Sequence, residues 1–136
     1  MEKELLYEDK NLRLEYIPDG NYLHETWWGY TPGEKFRKLL DVIIDCLEKK
    51  KASGLILDAR EHKGLGPDSQ KLAAERHGEY AKTYGQLNQA IVVPKDVFSK
   101  FSVTNYSTKF DPNAPVASKY FDNLEDAAKW LKNGGQ

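Results

Sequence analysis

The 136-residue chain is long enough for one hydrophobic core, and its organisation reads as a single domain, 1–136. Its 20 basic and 21 acidic residues leave no excess of Lys and Arg to track a phosphate backbone, which excludes a non-specific nucleic-acid binder. Apolar residues make up 40% of the chain, but the longest apolar runs, 55–57 and 90–93, fall far short of the roughly 18 residues of a transmembrane helix.

The N-terminal MEKELLYEDK has no apolar core of the kind a signal peptide carries. Cys46 is the only cysteine, which excludes an internal disulfide and any Cys-rich zinc site. The expected compartment is therefore the reducing cytoplasm. There is no repeat, low-complexity tract or linker.

The chain opens with three short runs rich in Leu, Tyr, Ile and Trp, at about 4–8, 11–17 and 22–29. Asp9-Lys10-Asn11 separates the first pair, and Pro18-Asp19-Gly20-Asn21 the second. Pro fixes φ and Gly accepts positive φ, so the second break is a turn with a mechanism. Three antiparallel strands are predicted. The period then changes. Thr31-Pro32-Gly33-Glu34 has the form of a capping box, with Thr31 as N-cap and Pro32 at the first helical position. Phe36, Leu39, Leu40, Ile43, Ile44 and Leu47 follow at helical spacing. Cys46 borders this stripe and reads as a small buried hydrophobe. Lys49-Lys50-Lys51 suits the negative end of the helix dipole.

Ser53-Gly54 ends that helix, and 55–57 reads as a strand buried on both faces. Strand, helix and strand make a parallel crossover. Asp68 or Ser69 caps a second helix reaching about Tyr84 and stopped by Gly85, with Ala73, His77, Tyr80 and Tyr84 as its stripe. A further buried strand, 89–93, stops at Pro94. Val97, Phe98 and Phe101 suggest a short third helix, 105–115 a loop, and 116–121 a last strand. The ending NLEDAAKWLKNGG reads as a helix with Asn123 as N-cap and Gly134 at C′. The expected architecture is α/β: a mixed sheet, antiparallel at first, then parallel β-α-β units, with about four helices mainly on one face.

In open α/β sheets, ligands gather beyond the C-terminal ends of parallel strands. Asp58, Arg60, Glu61 and His62 follow such a strand, with Ser69 nearby. One reading is a small enzyme site there. The plainer one has Asp58 accepting backbone N–H bonds or pairing with Arg60 to order a loop. Ser69 has no G-x-S-x-G elbow to make it a nucleophile. His24, His62 and His77 lie far apart with no metal-ligand spacing, so no metal or cofactor is expected. His77 sits on an apolar stripe and reads as a satisfied core or interface histidine. Along the third strand, Tyr22, His24, Thr26 and Trp28 share one face, and Leu23, Glu25 and Trp27 the other. Trp28, Tyr80 and Tyr84 are candidates to line an apolar pocket or patch.

Three stretches resemble the SpoIIAA-like branch of the STAS superfamily, related to anti-sigma-factor antagonists and to the CRAL-TRIO lipid-binding fold. They are LILDAR (55–60), AIVVP (90–94) and YFDNLEDAAKWL (120–131), the last with Phe121, Asn123, Glu125, Ala127, Trp130 and Leu131 at its signature positions. The resemblance runs from about residue 10 to 132 and carries no catalytic signature. It implies a non-enzymatic module that recognises a protein partner, a second copy of itself or an apolar small molecule. In its regulatory members, a serine within Asp-Ser-Ser-Gly at a helix start is itself phosphorylated. Here Asp68-Ser69 is followed by Gln70 and Lys71, and Ser69 is the candidate phosphosite. The candidate binding residues are Trp28, Asp58, Arg60, His62, Tyr80 and Tyr84.

Overall fold

A computed structural model describes residues 2–94 and 113–136. Six strands form one sheet in sequential order: β1 (Glu4–Glu8), β2 (Leu12–Ile17), β3 (Tyr22–Gly29), β4 (Gly54–His62), β5 (Leu87–Val92) and β6 (Val116–Phe121). β1–β2 and β2–β3 pair antiparallel; β3–β4, β4–β5 and β5–β6 pair parallel. The mixed sheet expected from the sequence is therefore present. The Pro18–Asn21 turn closes as its residues require: Gly20 has φ +106°, and the Asn21 N–H donates to the Pro18 carbonyl at 3.1 Å.

Helix α1 (Gly33–Lys50) links β3 to β4, and α2 (Pro67–Tyr84) links β4 to β5. Two crossovers of the usual hand, stepping in the same direction, place their helices on one face. That face holds the larger core, where Phe36, Leu40, Ile43 and Leu47 of α1 and Ala73, Tyr80 and Ala81 of α2 meet Leu12, Leu14, Leu23, Trp27, Leu55, Leu87 and Ile91 of the sheet. Helix α3 (Leu124–Lys132) follows the last strand and covers the opposite face. There Ala127, Trp130 and Leu131 pack on Ile17, Tyr22, Ile56, Ala90, Val92 and Phe121. Its cap is the expected one, with Asn123 Oδ1 accepting from the Asp126 N–H at 2.8 Å.

Several boundaries differ from the sequence reading. Pro32 rather than Thr31 is the residue before α1, no side chain caps that helix, and the Thr31 hydroxyl is buried without a partner among the described residues. The capping box is therefore not made. Gly66, not Asp68 or Ser69, is the N-cap of α2; Pro67 takes the first helical position, which needs no N–H. β4 runs to His62 instead of stopping near Asp58, so the connection to α2 is only four residues, 63–66. Three helices are present among the described residues rather than about four. The expected helix around Val97, Phe98 and Phe101, and most of the expected loop at 105–115, lie outside them.

Candidate functional site

β3 and β4 do not run in strict register. Thr26 lies opposite Asp58, but Trp28 lies opposite Glu61, so β4 spends one residue more than β3 over that interval. This is a bulge, and it changes the phase of every side chain after it. Asp58 shares the α3-side face with Thr26, while Leu57 and Ala59 point to the α1–α2 side. Strict alternation would send His62 the same way as Asp58. The extra residue instead turns His62 to the α1–α2 side, where its ring lies 5.3 Å from that of Trp27.

On that side lies a cavity of about 360 Å³. Its floor is the sheet: Glu25 and Trp27 of β3, Leu57 and Ala59 of β4, Ile91 at β5 and Val93 and Pro94 after it. Phe36, Leu40 and Ile43 of α1 and Ala73 and His77 of α2 roof it. His62, Lys63, Gly64 and Leu65 border the remaining side with Gln70, whose Nε2 donates to the Leu65 carbonyl at 2.8 Å and holds the connection in place. Gly64 has φ +104°, a left-handed conformation that lets the short connection turn into α2. The lining is mainly apolar, and the volume is in the range of small-molecule sites.

Besides the exposed Lys63, three titratable groups among the described residues sit in this wall. Glu25 is 1% exposed. Its Oε1 accepts from Trp27 Nε1–H at 2.8 Å, and its Oε2 has no partner among the described residues. Burial pushes its carboxyl up to about 8, and the Trp27 bond only partly opposes this. His77 Nδ1 lies 2.7 Å from the Ala73 carbonyl. A carbonyl can only accept, so Nδ1 carries the proton. Burial pushes this imidazole down to about 4. Burial also lowers His62, whose Nε2 has no partner among the described residues. At neutral pH the interior of the cavity therefore holds a carboxylic acid and neutral imidazoles.

The residues singled out from the sequence divide. His62 reaches the cavity. Asp58 and Arg60 lie on the other side of the sheet and bind each other: Arg60 Nε to Oδ1 and Nη2 to Oδ2, both 2.9 Å, with the Arg60 N–H to Oδ1 at 3.2 Å. This is the pairing expected of an ordering role, made along one strand rather than in a loop. His24 neighbours the pair and is lowered by burial, against the pull of Asp58 and Glu15. Trp28 is half-buried on that side, with the Arg13 guanidinium 5.8 Å from its ring centre. Tyr80 is buried in the helix pair, its hydroxyl donating to the Ala52 carbonyl at 2.6 Å with the Leu47 carbonyl at 3.1 Å. Tyr84 is exposed and stacks on it at 4.6 Å. Ser69 is the third residue of α2 and 9% exposed, near Gly33. Asp58, His62 and Ser69 therefore do not converge. Among the described residues no cluster of three or more His, Cys, Asp or Glu is placed to hold a metal ion.

Sequence reasoning passed over Glu25 as a site residue. The signal was present: Glu25 stands between Leu23 and Trp27 on one strand face, and an acid in an apolar stripe is a buried acid.

Neither a family model nor a curated protein sequence matches the chain. Solved structures do. An uncharacterised DUF3478-family protein with a SpoIIAA-like fold from Shewanella loihica PV-4 superposes with a TM-score of 0.59 at 19% identity, covering 92% of this chain and 99% of that one. SiaC of Pseudomonas aeruginosa superposes with a TM-score of 0.54 at 13% identity, covering 89% and 100%. The chain thus has a SpoIIAA-like fold, with its crossover helices on one face of the sheet and the closing helix on the other.

Proposed function

We propose that this domain is a non-enzymatic, cytoplasmic binding module that holds an apolar small molecule between its sheet and the α1–α2 pair. The cavity is the observation that carries this reading. A packed core of this size has few voids larger than a water molecule, whereas this one has room for about a dozen water-sized groups. Among the described residues, the exposed large apolar side chains are Leu5 on β1, Tyr30 between β3 and α1, and Tyr84 at the end of α2, a scatter that favours a ligand over a contiguous protein-docking patch. The separation of His62 from Asp58 and Arg60, which lie across the sheet, favours binding over catalysis. A phosphorylation switch at Ser69 would require the first turn of α2 to open.

Organic extraction of purified protein, followed by mass spectrometry, tests the proposal. Wild type should release an apolar compound in near-stoichiometric amount, and Ala73→Phe, which fills the cavity, should release none while still unfolding cooperatively. A wild-type protein that releases nothing, and whose tryptophan fluorescence ignores apolar probes, contradicts it.

A further inference from the structure

Glu25 does more than line the cavity. The Trp27 Nε1–H bond at 2.8 Å fixes Oε1 as the acceptor oxygen, so the carboxylic proton belongs on Oε2. Oε2 is buried and has no partner among the described residues. A buried O–H left without an acceptor costs about 1–3 kcal/mol, and a ligand oxygen placed there recovers it. Resting on the cavity reading above, we propose that the ligand is an uncharged, largely apolar molecule with a carbonyl oxygen, held head-first by the Oε2–H of Glu25.

The charge inventory argues for a neutral head. Among the described residues, the other titratable groups lining the cavity are His62 and Lys63, at and just after the end of β4, and His77 from α2. Helix α1 and the β5 segment add only apolar side chains. Lys63 is exposed, so none of the described residues places a cation inside to neutralise a ligand carboxylate. A ligand ammonium would require Glu25 to ionise and would bring three donors to a site with few acceptors. Buried charges of that kind recover their desolvation only when every hydrogen bond is made.

Four probes with the same chain length separate the possibilities: methyl hexyl ketone, octane, octanoate and octylamine. Each is titrated into wild type, Glu25→Gln and Glu25→Leu at about pH 6 and about pH 9.5, with binding read by tryptophan fluorescence and calorimetry. In wild type at the lower pH the ketone should bind about ten-fold tighter than octane, the worth of one buried hydrogen bond. That preference should shrink at the higher pH, where Glu25 has lost its proton. Glu25→Gln still presents an N–H to the ligand, so it should keep the preference at both pH values. Glu25→Leu should lose it at both. Octane binding as tightly as the ketone in wild type overturns the head-group assignment and leaves the apolar cavity intact. Octanoate or octylamine binding best overturns the neutral class. Binding of none of the four overturns both this assignment and the cavity reading.

Discussion

Glu25 makes a specific demand on how stability depends on pH. In the unfolded chain its carboxyl titrates near 4.5; folded, it is pushed up to about 8. The native state therefore holds a proton that the unfolded state gives up between these values. Stability from this group is fully present below pH 4.5 and is lost as pH rises through 8. The full loss is about 5 kcal/mol, at about 1.4 kcal/mol per pH unit. His77 works with the opposite sign. Folding lowers it from 6.5 to about 4, so its protonation favours unfolding, and raising the pH from 4 to 6.5 restores about 3 kcal/mol. The two slopes cancel between about pH 4.5 and 6.5. These two groups alone give a plateau there and then a loss of about 2 kcal/mol by pH 8; His24 and His62, also lowered by burial, add a rise below about pH 6.5 that the variant shares.

Glu25→Gln isolates the effect. Gln retains an oxygen for the Trp27 N–H and does not titrate. Urea unfolding, followed by fluorescence and circular dichroism at a series of pH values, gives both curves. The variant should match wild type near pH 4.5, rise through the histidine range and stay flat beyond it. By about pH 9 it should exceed wild type by several kcal/mol. If the difference between the two proteins moves by less than about 1 kcal/mol from pH 5 to 9, Glu25 is not a buried neutral acid. The assignment of its Oε2 as a donor would then fall as well.

Three further substitutions test the frame around the site. Tyr80→Phe removes the hydroxyl that serves the Ala52 and Leu47 carbonyls and should cost about 1–2 kcal/mol in urea unfolding. Lys51 caps α1 in the left-handed region at φ 50°, so Lys51→Gly should raise stability by about 0.5–1 kcal/mol; a loss would mean its side chain matters more than its backbone. Asn123→Ala removes the α3 cap bond and should lower the stability of the domain by about 1 kcal/mol; an unchanged unfolding midpoint would contradict that role.

Most of the fold was legible because periodicity reports burial directly. The α1 stripe of Phe36, Leu39, Leu40, Ile43, Ile44 and Leu47 is the buried stripe of that helix. Trp27 and Trp28, neighbours on one strand, divide between the core and the opposite face as alternation requires. The helix starts were less legible. Thr31 and Ser69 are residue types that cap, yet whether a side chain reaches an N–H depends on its backbone angles, which Pro32 and Pro67 helped set differently. The end of β4 was misread for a related reason. Asp58-Ala59-Arg60-Glu61-His62 has the composition of a loop, but composition records what a residue tolerates, not what lies beside it. Trp28 and Gly29 of β3 pair with Glu61 and His62, and the Asp58–Arg60 pair satisfies its own charges along the strand.

The site itself depends on an event that leaves no local mark. A bulge inserts one residue, and nothing in Ala59 or Arg60 announces it. Without it, His62 would follow Asp58 and Arg60 to the α3 side, and the sequence would read as one polar cluster at a strand end. With it, the polar stretch is divided across the sheet. The charged pair remains on one side, where it neutralises itself. The imidazole that can lose its charge goes to the other, beside Trp27 and a carboxyl that burial keeps protonated. A cavity can be lined with titratable groups and still suit an apolar ligand when each of them is held in its neutral form. The β3–β4 register, set by the pairs Thr26–Asp58, Trp28–Glu61 and Gly29–His62, is what sorts charged from neutral here.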